Sequence, residues 1–310
     1  MNDEPIIEVR GLTKHFGTTT AVDNLDLTVR RGDIYGFLGP NGAGKSTTIR
    51  MMLSLIRPTA GEIRIFGLSL AENRSDVLRR VGAIVEKPDC YLYLTARRNL
   101  DILGRLAGAD VSRRTIDATL DRVGLLERAD DKVKTYSYGM KQRLGIAQAL
   151  LHNPDLIILD EPVNGLDPQG VREIRSLILE LAQENRKTVF LSSHILAEVE
   201  MTANRMAIIA NGHTVVEGGV KELLDEGTLQ VSIETNNSEH ARKVLANAGF
   251  TPVDNVNGKN SVIVFSMRKN DIPTAIARLA EADISIYDIG STRSLEEYFI
   301  SITGSSPQKQ

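Results

Sequence analysis

The sequence predicts an α/β domain followed by a smaller α+β domain. Short apolar runs of the kind that form buried parallel strands alternate with amphipathic helical patterns through the first two-thirds of the chain. One run leads directly into a glycine-rich loop, and the others end in polar residues. After about residue 229 a second pattern of strands and helices begins. A length of 310 residues, at about 150 residues per domain, agrees with two domains.

The composition is that of an ordinary globular protein and excludes several classes. Apolar residues make up 42% of the chain and charged residues 25%, unlike disordered or collagen-like sequences. The formal net charge of -3 lacks the basic excess of a duplex-binding protein, so we expect no nucleic acid partner. The single cysteine, Cys90, cannot form an internal disulfide. No signal-peptide pattern opens the sequence either, so we expect a cytoplasmic chain. No apolar run approaches the roughly 20 residues that cross a bilayer, so we expect any membrane role to come through a partner.

Buried parallel strands are predicted to form the sheet of the first domain. They are Asp33–Leu38, Leu156–Leu159 and Thr188–Leu191. In an open α/β sheet the carboxyl ends of such strands line the ligand crevice. Asn211-Gly212 between two apolar runs predicts a hairpin. The domain is expected to close near Asp225, which gives a first domain of residues 1–227.

Two helical regions interrupt or follow these strands. The first, residues 88–151, is predicted to be an inserted helical subdomain with Thr95 as an N-cap. Its first helix carries an apolar stripe formed by Leu100, Leu103, Leu106 and Ala107. In the second region, Asp167-Pro168 combines a cap with proline at the first helical position. Core packing is the simple interpretation of the stripe that follows it, formed by Val171, Ile174, Leu177, Ile178 and Leu181.

Residues 228–310 are predicted to form an accessory domain. The order of its elements is βαββαβ, the ferredoxin-like arrangement. Its single histidine, His240, lies on a charged helix, and no catalytic cluster is visible, so a dimerisation or regulatory role is expected. A last short helix, Leu295–Ile302, precedes a polar tail. The predicted elements are Gln230–Glu234, Ser238–Ala248, Thr251–Val256, Ser261–Met267, Ile272–Ala282 and Ile284–Ile289.

The glycine-rich loop after the first buried strand has the spacing of a phosphate-binding P-loop. Its residues are Gly39, Pro40, Asn41, Gly42, Ala43, Gly44, Lys45 and Ser46, with Thr47 continuing into a helix. In such a loop, backbone N–H groups and the positive end of the helix bind phosphate oxygens. We expect Lys45 to reach the β- and γ-phosphates of a bound nucleotide and Ser46 to ligate Mg²⁺.

A pair of acids follows the second buried strand, directly after Leu159. Asp160 is expected to hold Mg²⁺ through water, as a Walker-B aspartate does. Glu161 is expected to polarise the water that attacks the γ-phosphate. A solvated acidic pair at a strand end is the alternative, and the P-loop in the same chain disfavours it.

With these motifs in order, the sequence resembles the ATP-binding subunit of an ABC transporter over nearly all of residues 6–227. The resemblance implies a P-loop NTPase cassette with a RecA-like core, an antiparallel β subdomain and a helical subdomain. The family's signature motif is similar to residues 136–142, which read Tyr-Ser-Tyr-Gly-Met-Lys-Gln. By this resemblance, Ser137 and Gly139 of one subunit contact the γ-phosphate held by the P-loop of the other. Without it, Ser137 and Gly139 would be a helix cap, and Tyr138 and Met140 core residues.

Three further positions match the pattern of the family. Asp167, in Gly165-Leu166-Asp167, resembles the D-loop aspartate, and His194 resembles the switch histidine that senses the γ-phosphate. Phe16 matches the position whose aromatic ring stacks on adenine. The alternatives are a helix cap for Asp167, an ordinary surface histidine for His194, and a core residue of the β subdomain for Phe16.

The sequence also departs from the family's pattern. Glu86 stands where the family commonly has a glutamine that contacts Mg²⁺ and the lytic water, and it adds a negative charge near the metal site. Asn164 replaces the more usual serine before the D-loop glycine, and the signature has Tyr138 and Met140 where Gly and Gln are commonest. With these residues, the sequence resembles the subgroup of ABC-2-type exporters that includes bacitracin and lantibiotic resistance transporters.

The segment Pro88–Leu94 is apolar for a loop and lies between Glu86 and the helical insert. Its tyrosines, Tyr91 and Tyr93, predict part of a groove that receives a coupling helix of the membrane subunit. Burial of the segment within the helical subdomain is the alternative.

Together these features predict a cytoplasmic ATPase that dimerises around two MgATP and drives export through a separately encoded ABC-2-type permease. The protein would lie peripherally on the cytoplasmic face of the cell membrane. A soluble ABC-type ATPase acting on ribosomes or DNA is the alternative; such proteins usually carry two cassettes or a long coiled coil, and this sequence has neither. A P-loop kinase or GTPase is disfavoured by Asp160-Glu161 and by the lack of an Asn-Lys-x-Asp segment. The substrate, whether peptide antibiotic, drug or lipid, is not encoded here.

Overall fold

The computed structural model describes residues 4–185, 187–226, 229–253 and 261–293. The chain divides after Gly218 into two compact units, whereas the sequence placed the end of the first domain at residue 227. The predicted helix Leu295–Ile302 and the end of the predicted strand Thr251–Val256 lie outside the described residues.

The first unit contains two sheets and a group of helices. Its strands are β1 (Pro5–Phe16), β2 (Thr19–Arg30), β3 (Ile34–Leu38), β4 (Ala60–Ile65), β5 (Leu68–Ser69), β6 (Val81–Ile84), β7 (Leu156–Leu159), β8 (Thr188–Ser193), β9 (Arg205–Ala210) and β10 (His213–Gly219). Its helices are α1 (Lys45–Met52), α2 (Arg74–Leu78), α3 (Ala96–Ala107), α4 (Arg113–Arg122), α5 (Tyr138–Leu150), α6 (Pro168–Asn185) and α7 (Leu196–Thr202).

The central sheet has the strand order β10-β9-β3-β8-β7-β6. Strands β9, β3, β8, β7 and β6 run parallel, and every residue of β3, β7 and β8 is buried, as their apolar sequences predict. The predicted hairpin joins β9 to β10. Asn211 and Gly212 both have left-handed φ angles, 49° and 83°, which suit the type I′ turn of a tight hairpin.

A second, antiparallel sheet has the order β2-β1-β4-β5 and forms the β subdomain. Its inward residues, such as Ile7 and Leu25, share one core with Phe37 and Phe190 of the central sheet. This arrangement confirms the predicted cassette fold of a parallel core with an antiparallel β subdomain.

The helical insert is formed by α3, α4 and α5. The predicted cap is present, because Thr95 Oγ1 accepts a hydrogen bond from Arg98 N at 3.1 Å. The predicted stripe of α3 is wrong at its end: Leu100 is buried, but Leu106 is 78% exposed and Ala107 is also exposed. At 3.6 residues per turn Leu106 points about 120° away from Leu100, and the helix ends one residue later.

Helix α5 lies directly on β6. A Cβ atom at Gly82 would lie only 2.1 Å from the carbonyl oxygen of Ala149, so glycine is required for this approach. In the same way, a Cβ atom at Gly145 would lie 2.6 Å from Pro88 Cβ. Two glycines therefore let α5 contact the strand and the segment after it without intervening side chains.

The long helix α6 follows Asp167 and buries most of its predicted stripe. Ile174, Ile178 and Leu181 are almost fully buried, and Val171 is half-buried. Core packing is thus confirmed for this stripe.

The second unit has the predicted βαββαβ order after a short helix. Its sheet has the order β12-β13-β11-β14, with antiparallel pairing, and Val231 and Phe265 lie in a core with Leu245 and Leu279 of the two helices. Among the described residues, the helices of the protein are too short or too polar to span a membrane. The elements are α8 (Val220–Glu226), β11 (Leu229–Thr235), α9 (Ser238–Asn247), β12 (Thr251–Val253), β13 (Val262–Met267), α10 (Ile272–Glu281) and β14 (Ile286–Arg293).

Candidate functional site

The predicted site residues that follow β3, β7 and β8 meet at the carboxyl edge of the central sheet. The register pairs Ile84 with Leu159, Leu159 with Leu191 and Leu38 with Ser193, so the four strands end within two residues of one another. Gly39 N also donates to the carbonyl oxygen of Ser193 at 3.3 Å. The loops after β3, β7 and β8 are therefore neighbours, as the sheet rule predicts.

The P-loop leads into α1 through a left-handed turn. Gly44 has φ 104°, and a Cβ atom there would lie 2.6 Å from the carbonyl oxygen of Ala21. Gly42, with φ 84°, has open space where a Cβ would be. No side chain caps α1, so its first N–H groups have no partner within the helix or from a capping side chain. This is the geometry by which a helix terminus binds phosphate.

Lys45 is the first residue of α1 and is only 6% exposed. Its Nζ donates to the carbonyl oxygen of Gly39 at 2.7 Å and of Pro40 at 3.3 Å. It also lies 3.3 Å from Glu161 Oε1. A buried ammonium therefore joins the P-loop to the acid that follows β7.

Asp160 is held by a serine on the neighbouring strand. Ser192 Oγ donates to Asp160 Oδ1 at 2.6 Å and accepts from Glu161 N at 2.9 Å. Ser192 is fully buried, and Asp160 is 1% exposed. One hydroxyl thus fixes the carboxylate of the first acid and the backbone of the second.

Glu161 and His194 are linked directly, a contact that was not predicted from the sequence. His194 Nδ1 lies 2.8 Å from Glu161 Oε2. Glu161 has a left-handed φ of 50°, rare for a non-glycine residue, which marks a constrained backbone at this corner. Its two carboxylate oxygens therefore face different partners, Lys45 on one side and His194 on the other.

The site fits a magnesium ion. Asp160 Oδ2 is buried and has no hydrogen-bond partner, so an oxygen atom of the kind that Mg²⁺ prefers is left free. Ser46 lies in the first turn of α1 and is half-buried. Outside this pair, the described residues contain no group of three or more His, Cys, Asp or Glu side chains able to hold a metal.

Glu86 follows β6 at the same edge of the sheet. Asp160 N donates to the carbonyl oxygen of Ile84 at 2.9 Å, which places Glu86 two residues from that bond. The Glu86 carboxylate forms an ion pair with Arg50 of α1. Its φ of 62° is left-handed, so the backbone at this position is constrained as well.

The signature residues lie at the N-terminus of α5. Ser137 Oγ accepts from Met140 N at 3.2 Å and so caps the helix. A Cβ atom at Gly139 would contact the Leu166 side chain at 3.6 Å, which places the signature beside the D-loop. Tyr138 is 41% exposed, so its alternative interpretation as a core residue is wrong. Within the described residues, the partners of Ser137 and Gly139 do not include the P-loop.

Asp167 and Phe16 are both accessible. Asp167 Oδ1 accepts from Gly170 N at 3.0 Å, so the residue does cap α6, and its second oxygen is not used in that bond. Phe16 is 50% exposed, which excludes the core interpretation, and Lys14 Nζ lies 5.0 Å from its ring centre. An exposed ring beside a cation is able to stack on a nucleotide base.

The segment Pro88–Leu94 is a surface loop. Tyr91 is 53% exposed and Tyr93 is 79% exposed, so burial in the helical subdomain is wrong for both. The buried Asn99 fixes the loop, because its Oδ1 accepts from Tyr91 N at 2.7 Å and its Nδ2 donates to the Tyr91 carbonyl at 3.1 Å.

Sequence reasoning missed two residues of this site, Ser192 and Arg50. The available signal for Ser192 was a hydroxyl directly after the apolar run of β8, at the end of the strand that lines the site. For Arg50 it was the four-residue spacing from Ser46, which places both on one face of α1.

Comparisons with known proteins identify the family of the chain. The ABC transporter family profile matches residues 22–164. The bacitracin transport ATP-binding protein BcrA of Bacillus licheniformis is 42% identical over 96% of this chain and 97% of its own length. The daunorubicin/doxorubicin resistance ATP-binding protein DrrA of Streptomyces peucetius is 36% identical over 98% of this chain and 94% of its own.

A solved structure supports the fold and the chemistry. The ATP-binding cassette MJ0796, in a dimeric post-hydrolysis state bound to ADP and Pi, matches with a TM-score of 0.61 and 25% identity. The match covers 69% of this chain and 98% of that one. With near full-length relatives well above 30% identity, the predicted family and cassette fold are confirmed. The chain belongs to the ABC transporter family, as an ATP-binding subunit with ATPase activity.

Proposed function

We propose that this chain dimerises around two MgATP and thereby drives export through a separately encoded ABC-2-type membrane permease. The observation that carries the proposal is the separation of the motifs within one chain. Lys45, Glu161 and His194 are joined by direct contacts, whereas Ser137 and Gly139 lie at another helix terminus beside Leu166. A second copy of the chain would supply the signature residues that the first site lacks.

In this proposal Glu161 is the general base. Its carboxylate takes a proton from the water that attacks the γ-phosphate, and His194 orients that carboxylate through the bond at 2.8 Å. Lys45 offsets the negative charge of the phosphoryl group as it is transferred. Ser46 and Asp160 would hold Mg²⁺, which when bound neutralises phosphate charge. We also propose that Phe16 and Asp167 contact the nucleotide.

Dimerisation follows from where the nucleotide would be held. ATP contacts both chains in the closed dimer, so binding favours closure. Hydrolysis divides the bridging γ-phosphate from ADP, and the loss of contacts, together with charge repulsion, allows the pair to reopen. The dimeric state of the similar cassette MJ0796 supports this arrangement.

The names of the relatives support an export role. BcrA is named for bacitracin transport and DrrA for daunorubicin and doxorubicin resistance. We therefore propose that the exported substrate is a peptide antibiotic or a drug. Export of a lipid would instead contradict this assignment. The chain would act in the cytoplasm, on the inner face of the membrane, with the second unit in an accessory dimerisation or regulatory role.

We propose the loop around Tyr91 and Tyr93 as the contact for the permease. Replacing both tyrosines with serine should abolish co-purification of the membrane subunit while basal ATPase activity persists. Tyr287→Ser, which removes another tyrosine that is 69% exposed, is the matched control and should leave co-purification intact. Unchanged association of the double variant would rule out this contact.

The decisive experiment is affinity capture of the tagged Glu161→Gln protein in mild detergent with MgATP, followed by mass spectrometry. We expect a stoichiometric membrane protein with several spans, and a closed dimer with little turnover. Ribosomal proteins or DNA-associated factors would instead support the soluble ATPase alternative. Near-normal hydrolysis by Glu161→Gln would refute the assigned base.

A further inference from the structure

We propose that Arg50 is a positioning residue of the nucleotide site, which holds the Glu86 carboxylate on the P-loop helix and offsets its charge. This inference rests on the proposed function, because it concerns the same MgATP site. It explains how a glutamate can be accommodated at this edge of the sheet, where an additional negative charge would otherwise face the anionic phosphates.

The first argument is the position of Glu86. Its strand, β6, pairs in parallel with β7, and Asp160 N donates to the Ile84 carbonyl. Glu86 therefore leaves the sheet beside the acid whose free Oδ2 fits a metal ion. Its left-handed φ of 62° shows that the backbone is constrained there, which is uncommon for a glutamate.

The second argument is the position of Arg50. It follows Ser46 by four residues, so both side chains lie on the same face of α1, one turn apart. The guanidinium of Arg50 forms an ion pair with Glu86. That pair connects the end of β6 to the helix whose N-terminus carries the phosphate-binding loop.

The third argument is the exposure of the pair. The Arg50 and Glu86 side chains are 39% and 59% exposed, so the pair adds little to stability by itself. A charge near a nucleotide site still acts on ligands that carry several charges, because Coulomb energy scales with the product of the charges. The consequence of this pair should therefore be found in ligand affinity.

The inference predicts a coupled effect on metal binding. Without Arg50, the Glu86 carboxylate is released and uncompensated, so it attracts the divalent cation and repels metal-free nucleotide. We expect Arg50→Gln to lower the Mg²⁺ concentration for half-maximal binding by about three- to tenfold. The same substitution in a Glu86→Gln background should change that concentration by less than about twofold, because no carboxylate remains to be released.

The test uses the full chain and a fluorescent, non-hydrolysable ATP analogue. Binding is titrated with Mg²⁺ for the wild type, Arg50→Gln, Glu86→Gln and the double variant. Glu86→Gln is isosteric, whereas Arg50→Gln shortens the side chain and removes its charge, and glutamine remains a good helix former for α1. Arg64→Gln is the control, because it removes a similarly exposed ion pair, Arg64–Glu62, from the β subdomain.

The expected result is a shift for Arg50→Gln that disappears in the Glu86→Gln background and is absent in Arg64→Gln. Equal shifts in both backgrounds, no shift in either, or the same shift in Arg64→Gln would overturn the role of Arg50. Failure of the wild type to bind the analogue at any Mg²⁺ concentration would instead remove the proposed function, and this inference with it.

Discussion

The N-termini of α1 and α5 differ in how they are capped and in which residues lie beside them. The end of α1 has no side-chain cap, begins at a left-handed glycine, and is adjoined by the buried Lys45 and by Glu161. The end of α5 is capped by its own Ser137 and is followed by the exposed Tyr138. The first is built to receive phosphate within one chain, whereas the second is stable alone and presents its residues outward.

This difference separates binding from assembly. We therefore expect substitutions at α1 to change the affinity of the single chain for nucleotide, and substitutions at α5 to change only the association of two chains. The following predictions test that division, in decreasing order of expected effect.

The largest effect is expected at Lys45. Lys45→Met should weaken ATP binding by about 10- to 100-fold, because charge-assisted hydrogen bonds to phosphate are lost. Fluorescence titration of the monomer measures this. Lys141→Met, which removes a lysine from the first turn of α5, should leave the affinity within about twofold. Equal losses in both variants would contradict the contrast.

The next effect concerns Ser137. Ser137→Asp keeps a good N-cap for α5 but places a negative charge where the proposed partner presents its γ-phosphate. In the Glu161→Gln background with MgATP, we expect the closed dimer to weaken by about tenfold or more, measured by sedimentation. Asn237→Asp, which makes the same kind of change at the N-cap of α9, is the control. A dimer as stable as that of the parent protein would exclude Ser137 from the interface.

A smaller effect is expected on the α1 side at Ser192. Ser192→Ala removes the donor to Asp160 Oδ1, so the carboxylate that we propose as a Mg²⁺ ligand loses its fixed orientation. We expect the Mg²⁺ concentration needed for half-maximal nucleotide binding to rise about three- to tenfold, with metal-free binding unchanged. Ser193→Ala is the matched control, because the hydroxyl of Ser193 bonds only locally to Ile195. Equal shifts in both variants would indicate general loosening of β8.

The smallest effect lies just beyond the C-terminal end of α5. Burial lowers the pKa of His152, whose Nε2 lies 3.2 Å from the Val81 carbonyl oxygen. The folded state therefore favours the neutral ring, and stability is complete above the unfolded pKa of about 6.5 and falls as pH drops below it. We expect a loss below about 1 kcal/mol, since the ring is partly solvated, and a weaker pH dependence for His152→Gln. Urea unfolding at pH 7.5 and 5.5 measures it; identical dependence would contradict the assignment.

Much of the α1 site could be predicted from sequence because local patterns encode it. The P-loop spacing, and the acids after a run of four buried residues, specify both residue type and strand end. The pairing of Ser192 with Asp160 could not be predicted in this way, because it depends on the register between two strands far apart in the chain. The same holds for Arg50, whose partner follows a different strand.

The α5 side was predicted less completely. Its cap follows from Ser137, but the exposure of Tyr138 depends on how the helix packs against the rest of the unit. Likewise, an apolar stripe on α3 does not reveal where the packing partner stops, and Leu106 lies beyond that limit. Periodicity gives the direction of a face, whereas tertiary contacts decide its width.

The glycine contact between α5 and β6 has a mechanical consequence. With the Ala149 carbonyl lying against the backbone at Gly82, there is no layer of side chains to absorb a displacement between helix and strand. A push on the exposed end of α5 is therefore transmitted to β6 as a near-rigid movement of one body. Because β6 leads into the segment that carries Glu86, we expect movement at the outward-facing end of this helix to reach the edge of the sheet where Asp160 and Glu86 lie.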